Sequence, residues 1–170
     1  MLVGVISDTH DNLEAVDKAV KVFKEKRVEM VLHLGDIIAP FTLARFKENG
    51  IEKLIAVFGN NCGERLGLKR VASEHGYIIN EPPHILELEG KRILMLHGWG
   101  PIQHTRNLVE SLARSGDYDI ILYGHTHQVD VRRVSGTLVV NPGEACGCLT
   151  GKKTIAVLDV KTLHVEVIEL

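Results

Sequence analysis

Short apolar runs recur along this chain, and five of them break into a Gly-rich or polar turn that carries Asp, Asn or His. The run from Leu2 leads into Asp8 and His10, and Leu32-His33-Leu34-Gly35 leads into Asp36. Val57-Phe58-Gly59 leads into Asn60, the run 93–96 into His97, and the run 120–123 into Gly124, His125 and His127. Between the early runs lie stretches with helical spacing, such as Leu13, Val16, Ala19, Val20 and Phe23. A chain that alternates in this way must bury strands beneath helices, and β/α folds place their sites where the strands end.

The periodicity predicts strands at 2–7, 30–34 and 53–58 and helices at 13–26, 41–49 and 65–75. A further helix is predicted at 102–115 and a strand at 120–123. Elsewhere the pattern changes. Runs 84–89 and 91–96 flank Gly90, runs 130–134 and 137–140 flank Ser135-Gly136, and runs 154–160 and 164–169 form a last pair, so hairpins are predicted. β/α units followed by antiparallel hairpins predict an α/β fold of two packed sheets with helices outside, and not one doubly wound sheet. The 170 residues show no linker, repeat or low-complexity stretch and fit one domain, 1–170, with a sizeable core.

Composition narrows the function classes. A net charge of −2 and 5% aromatic residues lack the basic field and stacking groups that hold nucleic acid. No apolar run reaches the roughly 18 residues of a membrane span, so no membrane association is expected. The N-terminal run also lacks the basic start of a signal peptide. Three cysteines, an odd number, suit a reduced, cytoplasmic setting. Cys146 and Cys148 could serve a disulfide or a soft metal, but no second pair nearby completes a zinc site, and two small residues in a Gly-rich turn is the preferred reading. Gly151-Lys152 imitates a phosphate loop with one residue too few and Lys153 where Ser or Thr is required.

Each ligand candidate has an ordinary reading by itself. Asp at a strand end commonly caps a helix or makes a turn, and a lone His after a strand is commonly structural. Five such pieces in one small chain point instead to a shared metal site. Side chains two apart in an extended segment face the same way, so Asp8 with His10 and His125 with His127 are each expected to aim at one point. Carboxylates and imidazoles suit Mn, Fe, Zn or Ni, and a carboxylate can bridge two ions about 3.5–4 Å apart. An Asn oxygen adds a neutral ligand and preserves positive charge for an anionic phosphate.

The ordered set Asp8-x-His10, Gly35-Asp36, Gly59-Asn60, His97-Gly98 and Gly124-His125-Thr126-His127, followed by Asn141-Pro142-Gly143, resembles the calcineurin-like metallophosphoesterase superfamily. Within it, the chain is most similar to the small phosphodiesterases of archaea and bacteria. The resemblance implies a four-layer αββα sandwich, two sheets flanked by helices. It implies one ion on Asp8, His10, Asp36 and His127, and a second on Asp36, Asn60, His97 and His125. Asp36 is then the bridge, and Asp36, Asn60 and His97 are the expected catalytic residues. Two divalent ions follow, Mn foremost, with Ni, Fe, Zn or Mg as alternatives. The implied reaction is hydrolysis of a small phosphodiester, with a hydroxide shared by the two ions attacking phosphorus in line with the leaving group.

One position departs from the superfamily pattern. Many members carry a His after the Gly-Asn pair, thought to protonate the leaving group, whereas here Asn61 and Cys62 follow. Asn cannot act as a general acid, and Cys is a poor one at its usual pKa. Diesters and esters of acidic phenols are therefore expected to react faster than monoesters. His104 is either a substitute acid or a surface residue, Trp99 either a pocket wall or a packing residue, and His33 is expected to be packed or hydrogen-bonded within its strand. A phosphomonoesterase is the competing enzymatic reading. A protein scaffold, like the retromer subunit of similar fold, is the non-enzymatic one, disfavoured because all seven ligand candidates are present. An apolar edge at the terminal hairpins would allow a homodimer or higher homo-oligomer.

Overall fold

The computed structural model describes residues 1–170. In chain order the elements are β1 (Leu2–Ile6), α1 (Leu13–Glu25), β2 (Met30–His33), α2 (Pro40–Glu48), β3 (Leu54–Val57), α3 (Arg65–Glu74), β4 (Ile78–Asn80), β5 (His84–Leu88), β6 (Lys91–Leu96), α4 (Ile102–Arg114), β7 (Ile120–Tyr123), β8 (Val129–Val134), β9 (Thr137–Pro142), β10 (Thr154–Asp159) and β11 (His164–Glu169). Every predicted element is present. The strand β4 was not expected, and it exists because β3 offers it a parallel partner, Ile55 opposite Ile78.

The strands form two mixed sheets. One runs β11-β10-β1-β2-β3-β4 and the other β5-β6-β7-β9-β8. Strands β1 to β4 are mutually parallel, as are β6, β7 and β9, while β5, β8, β10 and β11 pair antiparallel. Parallel strands covered on both faces read as continuous apolar runs, which is why the sequence signal was clear.

Alternation along each strand then sorts side chains into layers. Val3 and Val5 of β1, Leu32 of β2, Ile93 and Met95 of β6, and Ile120 and Leu122 of β7 meet between the sheets. Ile6, Val31 and Ala56 point the other way, onto Val16, Val20 and Phe23 of α1, Leu43 and Phe46 of α2, and Leu68 of α3. Leu94, Leu96, Ile121 and Tyr123 face Val109 and Ala113 of α4. The result is the expected αββα sandwich. Each fully buried Leu, Ile or Phe stabilises it by about 1.5–3 kcal/mol. No helix is long and apolar enough to cross a membrane.

The start of α1 is tied to a distant loop. Asn12 caps the helix by accepting from the Ala15 N–H at 3.1 Å, and its amide donates to the Cys146 carbonyl at 3.0 Å. The carboxyl ends of β1, β2, β3, β6 and β7 therefore meet at one edge of the sandwich, closed on one side by the segment after β9.

Candidate metal centre

The seven residues singled out in sequence gather at that edge. Asp8, His10, Asp36 and His127 present ligand atoms that all lie within 4.8 Å of one another. His127 Nε2 is 3.2 Å from Asp8 Oδ1, and His10 Nε2 is 3.4 Å from Asp36 Oδ2. On the other side of Asp36, its Oδ1 lies 3.3 Å from His97 Nε2. Asn60 Oδ1 is 2.9 Å from both His97 Nε2 and His125 Nδ1. Asp36 thus stands between His10 on one side and His97 on the other, with Asn60 and His125 beyond His97.

The local backbone is not the one expected. Asp8 with His10, and His125 with His127, do not lie in extended segments. β1 ends at Ile6 and β7 at Tyr123, and φ is +53° at Asp8, +41° at His10, +58° at Asp36, +67° at His125 and +57° at His127. Side-chain-bearing residues rarely adopt this left-handed region, and each costs on the order of 1–3 kcal/mol unless its surroundings dictate it. The surroundings do. Asp8 N–H donates to Gly35 O and His10 N–H to Asp36 O, both at 3.1 Å. Asp8 Oδ2 accepts from the Ser7 hydroxyl at 2.5 Å and from the His125 N–H at 3.1 Å, so Oδ1 is turned toward His127. Two glycines make room: a Cβ at Gly59 would overlap the Asp36 carboxylate, and one at Gly124 would overlap the Ser7 hydroxyl.

The donor chemistry tests whether metal fits. His97 Nδ1 lies 2.7 Å from Leu34 O and His125 Nε2 lies 2.8 Å from Gly100 O. Carbonyls only accept, so those nitrogens carry the protons, and the inward nitrogens aim lone pairs at oxygens that are themselves acceptors. Asp8 Oδ1 and His10 Nε2 are buried with no hydrogen-bond partner at all. Buried polar groups are normally satisfied. Lone pairs converging from four directions are satisfied by extra protons or by cations, and this O/N set suits hard or borderline divalent ions. The residues fit the group.

The protonation tendencies agree. Burial would raise the Asp36 carboxyl, but hydrogen bonds from His97 and Asn61 hold it well below the usual carboxylate range. Burial opposes charge on His97 and His127, yet contact with Asp36 raises the first, and Asp8 and Glu144 bring the second up to about 9. Cys146 lies close to His10 and His127. Burial raises its thiol pKa, and it donates to Glu144 Oε2 at 3.1 Å.

Asn61 and Glu144 take roles that sequence reasoning did not supply, while Cys62, His33, His104 and Trp99 are already singled out there. Asn61 donates to both Asp36 oxygens at 2.8 Å, through its N–H to Oδ1 and its side-chain amide to Oδ2. Cys62 is buried, and that burial raises its pKa, which makes it a still weaker acid. His33 is fully buried, accepts from the Gly35 N–H at 3.2 Å, and meets the Thr9 hydroxyl at 3.2 Å. Glu144, fully buried, lies 2.6 Å from His127 Nδ1. Its only signal in sequence was an acidic residue set between Gly143 and Ala145-Cys146, where small residues surround it. His104 is exposed on the first turn of α4, and Trp99 stands half exposed on an apolar groove of about 330 Å³ that Gly98 also lines.

Residues 1–163 match the model of the calcineurin-like phosphoesterase superfamily domain. The chain belongs to that superfamily. Among related proteins, a phosphodiesterase of Methanocaldococcus jannaschii is 39% identical over 166 residues, covering 95% of this chain and 94% of that one. Phosphodiesterase YfcE of Escherichia coli K12 is 26% identical over 151 residues, covering 81% and 75%. A solved archaeal phosphodiesterase superposes at a TM-score of 0.90 with 36% identity and full coverage of both chains. Vps29 of Entamoeba histolytica shares the fold, with a TM-score of 0.72 at 21% identity over 100% of this chain and 99% of that one. A calcineurin-like phosphoesterase is a hydrolase that works with divalent metal, and the donor cluster is where this chain can hold it.

Proposed function

We propose that this protein is a binuclear metal-dependent phosphodiesterase acting on a small phosphodiester. The phosphodiesterase relatives in Methanocaldococcus and Escherichia support the reaction class. The observation that carries the metal assignment is the convergence of Asp8, His10, Asn60, His97, His125 and His127 around the carboxylate of Asp36, with Asp8 Oδ1 and His10 Nε2 buried and without a hydrogen-bond partner. Asp8, His10, Asp36 and His127 would hold one ion, and Asp36, Asn60, His97 and His125 the other. When bound, two divalent ions supply positive charge to the phosphoryl oxygens and acidify water at the centre.

The chain itself orients these donors. The Leu34 and Gly100 carbonyls keep the outward protons on His97 and His125, so the inward nitrogens stay free. Asn61 holds Asp36 from above without offering a proton to a leaving group, and Cys62 is buried away from that task. Diesters with an acidic leaving group are the substrates that need no such proton. Mn is the first metal to test, and three free cysteines support a reducing, cytoplasmic setting.

The test is turnover of a chromogenic aryl diester and its matched monoester with Mn, Ni and Mg. The diester is expected to react faster, and Asp36→Asn to abolish both metal binding and turnover. Equal rates on the two esters would overturn the diesterase assignment, and full activity of the Asp36 variant would overturn the metal centre.

A further inference from the structure

Glu144 is a carboxylate enclosed entirely by donors. Oε2 faces His127 Nδ1 at 2.6 Å, the Cys146 thiol at 3.1 Å and the Cys148 N–H at 2.9 Å. Oε1 accepts from the Leu149 N–H at 3.0 Å, the Thr150 N–H at 2.5 Å and the Thr150 hydroxyl at 2.7 Å. No solvent reaches the residue. The segment that carries it is pinned to the centre on both sides: Ala145 N–H donates to Ser7 O at 3.0 Å and Cys146 N–H to Asp8 O at 3.1 Å. The Asn12 amide closes the same segment from the start of α1.

Among the partners of a carboxylate wrapped in this way, the His127 ring is the one whose donor nitrogen depends on its tautomer. We propose that Glu144 is a positioning residue for the ion on Asp8, His10, Asp36 and His127, and that it acts by fixing the proton of His127 on Nδ1. An acceptor at Nδ1 leaves Nε2 as the lone-pair nitrogen, and Nε2 is the atom that faces Asp8 Oδ1. The opposite tautomer would aim an N–H at the place where metal must sit. A carboxylate behind a ligating imidazole also makes that imidazole a stronger base. The Cys146–Thr150 turn then has a stated purpose: its N–H groups and hydroxyl hold Glu144 charged and immobile. His97 and His125 use backbone carbonyls for the same job, so the carboxylate distinguishes one ion from the other.

The inference rests on the metal assignment above, and the test separates the two. Titration of the metal-free wild type with Mn by calorimetry is expected to show two ions. In Glu144→Gln the amide has nearly the same shape, but an NH2 group now faces donors and favours the wrong tautomer. The affinity of one ion is expected to fall about 10- to 100-fold, with the other ion unchanged. A purely structural residue would weaken both ions alike and lower the Tm of the metal-free protein. Equal weakening of both ions, or no weakening, would overturn the role given to Glu144, while a wild type that binds no Mn would overturn the centre beneath it. Should the variant fail to fold, the wild type still decides the matter. Long-range 15N–1H NMR of the Zn-loaded protein is expected to place the His127 proton on Nδ1, and a bare Nδ1 would refute the proposal.

Discussion

Asp36 lies between two rings, and the remaining hold on it comes from Asn61. The backbone and side-chain amides of Asn61 donate to opposite oxygens of one carboxylate. A hydrogen bond to a charged acceptor contributes about 1.5–3 kcal/mol. Asn61→Ala keeps the backbone bond and removes the other, so kcat/KM on a diester is expected to fall about tenfold or more. A steady-state assay checks this, and an unchanged kcat/KM would show that the side-chain amide does nothing for the bridge. From sequence, position 61 was legible only as a missing acid, since the donor role depends on where Asp36 lies in space. His33 is a second case. Burial holds its pKa to about 3, whereas the unfolded chain titrates near 6.5. The unfolded chain therefore binds more protons between these values, and the stability His33 contributes is full above about pH 6.5 and declines as pH falls toward 3. In His33→Asn an oxygen can still accept from the Gly35 N–H but does not titrate. The stability gap between wild type and variant is expected to narrow from about pH 7 to about pH 5 in urea melts, and a constant or widening gap would sink the argument.

Helices and strands were legible because their faces repeat with fixed periods, and each parallel run is apolar on both sides. β4 was not, since three residues between Gly76 and Pro82-Pro83 carry no period, and only the edge of β3 makes them a strand. The turns after the strands were legible as positions but not as conformations. Asp8-x-His10 reads as an extended pair, whereas both residues adopt positive φ, because the loop must fold back under Gly35 and Asp36. Gly59, in the turn after β3, shows how tightly these turns close. An added methyl would collide with the Asp36 carboxylate and with its N–H. Overpacking of this kind costs about 1–3 kcal/mol, and here the atom displaced is the bridging ligand. Gly59→Ala is expected to fold with a lowered Tm and to lose metal affinity and turnover together. A variant that retains both at wild-type values would show that the turn can yield without moving Asp36.

Across the whole molecule, the donor cluster joins the two sheets. Asp8 and His10 follow β1, Asp36 follows β2 and Asn60 follows β3, all of one sheet, while His97 follows β6 and His125 and His127 follow β7 of the other. The layer between the sheets is apolar and holds them by burial alone. At the carboxyl edge that layer gives way to buried carboxylates and rings, among them Asp8 and Asp36, which offer ligand atoms within 4.8 Å of each other. Cations there would bind the folded state and not the unfolded one, because only folding brings the two sheets' donors together. A free-ion concentration about 100 times Kd then adds about 2.7 kcal/mol of stability for each ion. For a chain of this size that corresponds to roughly 5–10 °C in Tm per ion. Scanning calorimetry with saturating Mn and with chelator is expected to show this difference, and hydrogen exchange to localise it at the carboxyl ends of β1, β2, β6 and β7. Asp36→Asn is expected to erase the difference, because it weakens both ligand sets at once. A Tm that ignores the chelator, in a protein that demonstrably binds Mn, would mean that the two sheets meet at this edge without help from the ions.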